Sequence, residues 1–152
     1  MRALVFLLLL GSLVAGCAVE PTASLNPHTG VASRASGLVT IDRRTPARLE
    51  VRAVRLAKTG DEAFALLTFV TRDDLNYPGV ASAWSFGRPL PYERIDRRRV
   101  GFARQEAGVI RLSRGVVEAA SAGPGLTLQL IGPRGSHTGH VPAGLFLATL
   151  EP

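Results

Sequence analysis

A regular alternation of apolar and polar residues is the clearest pattern in the second half of the chain. Residues 126–131 read LTLQLI, and a leucine at every second position is typical of a strand with one buried face. Residues 132–135 read GPRG, which favours a tight turn. Residues 136–141 are therefore predicted to return as the partner strand of a hairpin.

Two earlier segments carry the predicted core. Residues 63–71 read AFALLTFVT and are apolar on both faces, which predicts a central strand buried on both sides. Residues 48–56 alternate as far as Ala53 and then change phase. A strand with a bulge explains this change, and a helix capped by Thr45 is the alternative. We favour the strand, because a turn signal and the next strand candidate follow directly.

Two short helices are predicted near the end of the chain. Ser113 can cap a helix over residues 114–122, which Gly123 would end. Pro142 precedes an apolar stretch at residues 143–150, which we predict to be a final short helix. These elements together predict an α+β fold that is mainly β. We expect a small antiparallel sheet, sandwich or partial barrel with one to three short helices.

The first 16 residues have the layout of an export signal. Met1 and Arg2 give a positive start, an apolar stretch covers residues 3–14, and the small pair Ala15–Gly16 follows. The stretch is shorter than the ~20 apolar residues that a membrane-spanning helix needs. We therefore expect residues 1–16 to be a signal peptide that is removed.

Residues 13–17 read LVAGC and resemble the lipobox of bacterial lipoproteins. The resemblance implies that Cys17 is acylated and becomes the first residue of the mature protein. Cys17 is the only cysteine in the chain, and acylation would explain an unpaired thiol in an exported protein. In that family, Ala18 after the cysteine implies the outer membrane, with the domain facing the periplasm. The resemblance covers about 17 residues and implies nothing about the domain that follows.

The mature chain divides into a tether and one domain. Residues 17–36 are rich in proline, glycine and small polar residues, which predicts a flexible tether. A single β-rich domain is expected over residues 37–152. The hydrophobic fraction of 46% excludes wholesale disorder.

Arginine dominates the positive charge. The formal net charge is +6, and Lys58 is the only lysine among the 18 basic residues. An arginine-rich composition follows from GC-rich coding, and it also suits the binding of phosphate or carboxylate groups. Both interpretations stay open at this point.

The densest arginine cluster gives the predicted contact face. It consists of Arg94, Arg97, Arg98, Arg99 and Arg104. We expect Arg97, Arg98 and Arg99, with Trp84 nearby, to bind another envelope protein or an anionic envelope component. Export makes nucleic acid an unexpected partner. The alternative is a solvated edge strand on which arginine prevents aggregation. The predicted function is thus a non-enzymatic, membrane-anchored binding module.

A small periplasmic hydrolase is the alternative function. It would use Asp73 or Asp74 with His137 or His140 as its acid–base pair. We predict no metal site and no cofactor, because His137 and His140 would point to opposite faces of a strand and the mature domain offers no thiol ligand. The sequence contains neither a G-x-S-x-G motif nor a phosphate-binding glycine loop. A carrier of a small apolar ligand is a third possibility, which would require an open cavity.

Overall fold

The computed structural model describes residues 20–152, which form two antiparallel sheets and two helices. The first strands are β1 (Thr22–Leu25), β2 (Ala32–Ala35), β3 (Val39–Arg44), β4 (Ala47–Lys58), β5 (Asp61–Arg72) and β6 (Ser82–Ser85). The remaining strands are β7 (Arg88–Leu90), β8 (Tyr92–Val100), β9 (Ala103–Leu112), β10 (Leu126–Gly132) and β11 (Gly135–Val141). The helices are α1 (Arg114–Ala122) and α2 (Ala143–Leu150).

The two sheets differ in size. The larger one has the order β1-β2-β4-β5-β9-β8, and β3 pairs with the first half of β4. The smaller one has the order β11-β10-β6-β7. Every recorded strand pair is antiparallel. The fold is therefore mainly β within the α+β class, as the sequence predicts, and it is not closed into a barrel.

The main core lies between the two sheets and under the helices. Alternate residues of β4 and β10, including Leu49 and Leu128, are completely buried there. Val117 of α1 and Phe146 of α2 close the core from the helical side. This burial is the physical reason that the alternating patterns fold as strands, since only one face of each strand can meet the opposite layer.

The structure resolves the ambiguous segment at residues 48–56 in favour of a strand. β4 pairs with β5 through twelve consecutive residues without a shift of register, so the predicted bulge is wrong for this strand. A bulge occurs instead in β3, between Thr40 and Asp42. The change of phase in the sequence reflects apolar residues such as Val54 on the outer face of the large sheet.

The central strand β5 is less buried than we predict from its sequence. Phe64, Leu66 and Val70 face the core and are buried, whereas Leu67 on the other face is only partly buried. Arg52 stands directly opposite Leu67 in the register. The long hydrocarbon part of an arginine can cover an apolar neighbour and leave its charged end in water. An apolar outer face therefore does not require a second protein layer.

The predicted tether is corrected for residues 22–35, which form a hairpin. β1 pairs with β2, and β2 continues the large sheet by pairing with β4. The side chain of Asn26 accepts hydrogen bonds from the backbone N–H groups of His28 and Thr29, which fixes the turn. The turn-rich composition here indicates a hairpin connection rather than a tether. The predicted signal peptide and Cys17 lie outside the described residues.

Both predicted helices are confirmed. α1 begins after Ser113, whose hydroxyl accepts a hydrogen bond from the backbone N–H of Val116. Gly123 follows its last residue, and α2 begins directly after Pro142. The hairpin of β10 and β11 is also confirmed, with its turn between Gly132 and Gly135.

Gly139 of β11 provides a test of how closely the sheets pack. A β-carbon at this position would overlap the backbone carbonyl of Ile41 in β3. We expect Gly139→Ala to lower the free energy of unfolding by about 1–3 kcal/mol, because backbone has to move to make room. Gly144 in α2 has open space around it, so Gly144→Ala should raise stability by up to about 1 kcal/mol. Urea denaturation of both variants measures the two effects, and equal behaviour would contradict the packing argument.

Candidate functional site

One end of the large sheet concentrates arginine side chains on adjacent strands. This is the end at which β4 and β9 begin and β3, β5 and β8 finish. One row of cross-strand neighbours runs Arg44, Ala47, Arg72, Arg104 and Arg99. The next row runs Arg43, Arg48, Thr71, Gln105 and Arg98. We name the seven arginines of these two rows the arginine end.

The arginine end carries more positive charge than its carboxylates balance. Within residues 20–152, only three of its arginines form ion pairs. The pairs are Arg44–Asp42 at 3.1 Å, Arg48–Glu50 at 3.3 Å and Arg72–Asp74. Arg104 stands directly opposite both Arg72 and Arg99 in the register. Like charges in such positions destabilise a sheet, so this arrangement favours an anion between the guanidinium groups.

An apolar turn projects from the arginine end. Val100 and Ala103 pair to close the hairpin of β8 and β9, and Gly101 adopts the left-handed conformation (φ +60°) that the turn requires. The side chain of Phe102 is 85% exposed, and Val100 is also exposed. Along β8 every residue after Tyr92 is exposed. This hairpin thus presents an aromatic side chain at its apex, with arginines directly behind it.

A buried carboxylate fixes the base of this hairpin. The side chain of Glu106 has no exposed surface, and it accepts a hydrogen bond from Nε of Arg97 at 2.9 Å. Its two oxygens also accept the backbone N–H groups of Gly79 and Val80, at 3.2 and 2.7 Å. Glu106 therefore joins β8, β9 and the loop after β5. We predict Arg97 to contact a partner, but its Nε–H group is used in this internal pair.

Tyr77 of the same loop lies beneath two guanidinium groups. The distance from its ring centroid to the guanidinium carbon is 5.3 Å for Arg97 and 6.0 Å for Arg104. Both distances are within the range of a cation–π contact. The ring restricts the orientation of the Arg104 side chain, which has no carboxylate partner among the described residues.

Trp84 does not belong to the arginine end. It lies on β6 in the small sheet, where its indole N–H donates to the hydroxyl of Ser82 at 3.0 Å. With Phe86, Gln129 and Thr138 it lines a shallow depression of about 220 Å³. Arg98 and Arg99 lie on the edge strand of the other sheet. The structure therefore assigns the predicted contact residues to two separate surfaces.

The predicted hydrolytic residues do not contact one another as an acid–base pair. Asp74 pairs with Arg72, and this hydrogen bond lowers the pKa of its carboxyl group, which makes it a poor proton acceptor. The backbone N–H of Asp73 bonds to the carbonyl of Pro46. Within residues 20–152, no ion pair links either aspartate to His137, and His140 is exposed on the small sheet.

His137 lies instead beside Asp42, which the sequence analysis did not consider. The distance from Nδ1 of His137 to Oδ2 of Asp42 is 3.6 Å, and both side chains are nearly buried. Burial lowers the pKa of His137, and the charges of Arg72 and Arg44 act in the same direction, whereas the charge of Asp42 opposes them. The imidazole is therefore neutral at neutral pH and connects β11 with β3.

A cavity lies at the opposite edge of the large sheet. Its volume is about 470 Å³, and residues of β1 and β2 line it together with the last residues of the chain. Arg34 in its wall donates to the carbonyl groups of Ala148 and Pro152 and to the carboxylate of Glu151. These contacts tie the N-terminal hairpin to the C-terminus, so the arginine has a structural role.

Comparisons with known proteins do not assign the chain to a family. No protein-family model, no curated protein and no solved structure matches it. Among the described residues, no three histidine, cysteine, aspartate or glutamate side chains group as metal ligands would. No helix within residues 20–152 is long and apolar enough to cross a bilayer.

Only three of the seven arginines of this end, those on β8 and β9, belong to the cluster that the sequence predicts. The other four arginines lie on β3, β4 and β5. The segment DRRTPAR at residues 42–48 carries three of them around a turn. A correct pairing of β3 with β4 and of β5 with β9 would have aligned these residues. The missing information was the register, which the local pattern does not contain.

Glu106 offers a test of how the hairpin is fixed. We expect Glu106→Ala to lower the free energy of unfolding by about 2–5 kcal/mol, since two backbone N–H groups and a guanidinium lose their acceptor. The exposed pair of Glu93 with Arg111 gives the control, and Glu93→Ala should change stability by less than about 1 kcal/mol. Chemical denaturation measures both. A small loss at Glu106 would show that it does not hold the loop.

His137 predicts a dependence of stability on pH. Its pKa is below the ordinary value of 6.5 in the folded state, so the unfolded chain takes up a proton first as the pH falls. The contribution of His137 to stability is complete above pH 6.5 and declines below it. We expect His137→Asn to flatten the stability profile between pH 7 and 5 relative to that of the unchanged protein. Thermal denaturation across this range checks the difference.

Proposed function

We propose that this protein is a non-enzymatic binding module of the bacterial cell envelope, attached to a membrane through a lipid on Cys17. The observation that carries the proposal is the arginine end. Arg43, Arg98, Arg99 and Arg104 have no carboxylate partner within residues 20–152. Arg98, Arg99 and Arg104 lie directly behind an exposed aromatic turn, and Arg43 lies farther along the same end of the sheet, on β3. Exposed apolar area together with an excess of positive charge is typical of a binding surface.

The proposed anchor precedes β1, which lies in the other half of the large sheet from the arginine end. Thr22, the first residue of β1, is level with Arg111 of β9 in the register. Arg111 is seven residues from Arg104 along the strand, which is roughly 23 Å at ~3.3 Å per residue. An anchor at Cys17 would lie within about 18 Å of Thr22, since a residue spans at most ~3.6 Å. The anchor would therefore hold the domain near a membrane without by itself turning the arginine end towards it.

The proposed partner is another envelope protein or an anionic component of the envelope. Guanidinium groups bind carboxylate and phosphate oxygens through two parallel hydrogen bonds, which suits both kinds of partner. The depression around Trp84 is a separate surface and is not required. Export through the signal peptide and retention in the outer membrane remain part of the proposal, on the strength of the lipobox at residues 13–17.

A hydrolase is the second candidate, and the Asp42–His137 contact is what favours it. A carboxylate beside an imidazole is the arrangement that orients a general base. The side chain of His137 is only 12% exposed, however, and its contact atom faces Asp42 across the two sheets. This geometry suits a structural contact better than proton transfer to a substrate, so the binding module is preferred.

Two exposed arginines of β8 provide the test. We expect Arg98→Gln with Arg99→Gln to reduce the complexes that crosslinking recovers from intact envelopes several-fold, because the charges that attract an anionic partner are lost. Arg97 is left in place because it pairs with Glu106. Quantitative mass spectrometry of the recovered complexes gives the measurement.

The matched control changes two exposed arginines elsewhere, Arg88→Gln and Arg134→Gln, which should leave recovery unchanged. Mass spectrometry of the mature N-terminus tests the anchor separately. An unmodified thiol at Cys17 would overturn membrane attachment, and equal recovery from both arginine pairs would overturn the contact surface.

A further inference from the structure

We propose that the arginine end docks on the membrane itself, on a surface rich in anionic phospholipid, with Phe102 and Val100 entering the interface. This inference rests on the proposed function, because it names the partner of the same surface. In this arrangement the arginines bind the phosphate groups of the lipids, and the apolar turn enters the outermost part of the acyl chains. Two features of the structure support it.

The first feature is the position of Phe102. An exposed phenylalanine leaves apolar area in water that burial would remove, and the turn itself requires only Gly101 with its positive φ. A turn is also the part of a hairpin that projects farthest, so it can reach below the headgroups. Interfacial elements bury their apolar side chains by roughly 5–10 Å at the boundary of headgroups and acyl chains.

The second feature is the row of arginines directly behind the turn. Arg99 and Arg104 are cross-strand neighbours, one residue removed from the pair of Val100 and Ala103. When the turn is immersed, these guanidinium groups lie at the depth of the headgroups. A phosphate between them would accept hydrogen bonds from both and cancel their repulsion. Arg98, on the other face of β8, meets the headgroups at almost the same depth.

The net charge of this end is positive after its neighbours are counted. The arginine end carries seven positive charges. The three carboxylates with which its arginines pair, together with the nearby Asp73 and Asp96, carry five negative charges. An excess of two positive charges remains. Arg97 and Glu106 neutralise each other. Charge complementarity therefore favours an anionic membrane over a zwitterionic one.

The position of the proposed anchor constrains how the docked domain lies on the membrane. β1 and β8 occupy opposite edges of six hydrogen-bonded strands, which are roughly 24 Å apart at about 4.8 Å per strand spacing. Thr22 of β1 is level with Arg111 of β9, seven residues along the strands from Arg104. A lipid anchor before β1 and an immersed turn after β8 are thus separated both across the sheet and along its strands, so contact of both with one membrane requires the sheet to lie tilted on it.

The experiment uses the full mature protein, reconstituted through its own anchor into lipid vesicles. Val100→Cys introduces a thiol beside Phe102, and acylation blocks the sulfur of Cys17, so an environment-sensitive fluorophore labels position 100 alone. In vesicles with about a third phosphatidylglycerol, we expect a blue-shifted emission and quenching by lipids that carry a quencher in the upper acyl chain. In phosphatidylcholine vesicles both signals should be small.

Two sets of variants link the signal to the named residues. Arg99→Gln with Arg104→Gln should weaken the docking equilibrium about 30-fold, taking two basic side chains at the usual contribution of a lysine or arginine near an anionic surface. Phe102→Ser should reduce the quenching while the charges remain. Arg88→Gln with Arg134→Gln is the matched control and should have no effect. A label at Pro133→Cys, on the turn of β10 and β11, should stay in water.

The outcomes separate this inference from the proposed function. If the protein floats with the vesicles but position 100 stays in water at every composition, membrane docking is overturned and the anchored module stands. Shielding of position 100 only in native envelopes, and not in vesicles, would also overturn docking and indicate a protein partner. If a label reacts at Cys17 and the protein does not float, the proposed function itself fails.

Discussion

The register of the antiparallel ladder from β4 through β5 to β9 is the constraint on which the rest of the structure depends. It places Leu49, Leu66 and Ile110 on one face, where the small sheet and the helices bury them. The same ladder aligns the arginines of five strands into two rows at one end. A slip of one residue would turn the core side chains to the outside and separate the arginines. The strand register therefore determines both the buried core, which stabilises the fold, and the arginine rows of the candidate site.

Glu106 shows how the core and the site are joined at a single residue. Its neighbour across β5 is Val70 in the core, and its neighbour across β8 is Arg97 at the surface. A buried carboxylate is costly unless several donors satisfy it, and here two backbone N–H groups and one guanidinium do so. The loop that supplies the two N–H groups also carries Tyr77, which lies against Arg97 and Arg104. The arginines at the base of the hairpin are therefore held by the interior of the protein.

The local pattern of the sequence predicts most of the strands and both helices, but it does not predict how the strands pair. The hairpin at residues 126–141, both helices and the strand at residues 48–56 follow from periodicity and capping, which are short-range properties. The hairpin formed by β1 and β2 does not follow from the local pattern, because its strands are four residues long and consist of small and polar residues with little apolar alternation. The pairing of Asp42 with His137 depends on contact between the sheets, about which local spacing contains no information. For the same reason, Arg44 and Arg72 could not be added to the arginine cluster.

Order in β1 and β2 has a consequence for the strength of binding that the proposed anchored module would need. A tether of twenty flexible residues would let the domain sample a large volume, whereas a chain that is ordered from Thr22 leaves only a few residues between an anchor at Cys17 and the sheet. Under the proposed attachment, so short a link would give the domain an effective concentration near the bilayer in the millimolar range. An intrinsic dissociation constant of about the same size would then be enough to keep the surface occupied for much of the time. Such weak, tethered contacts would form and break quickly, so the proposed module would exchange partners while its lipid stays in the membrane.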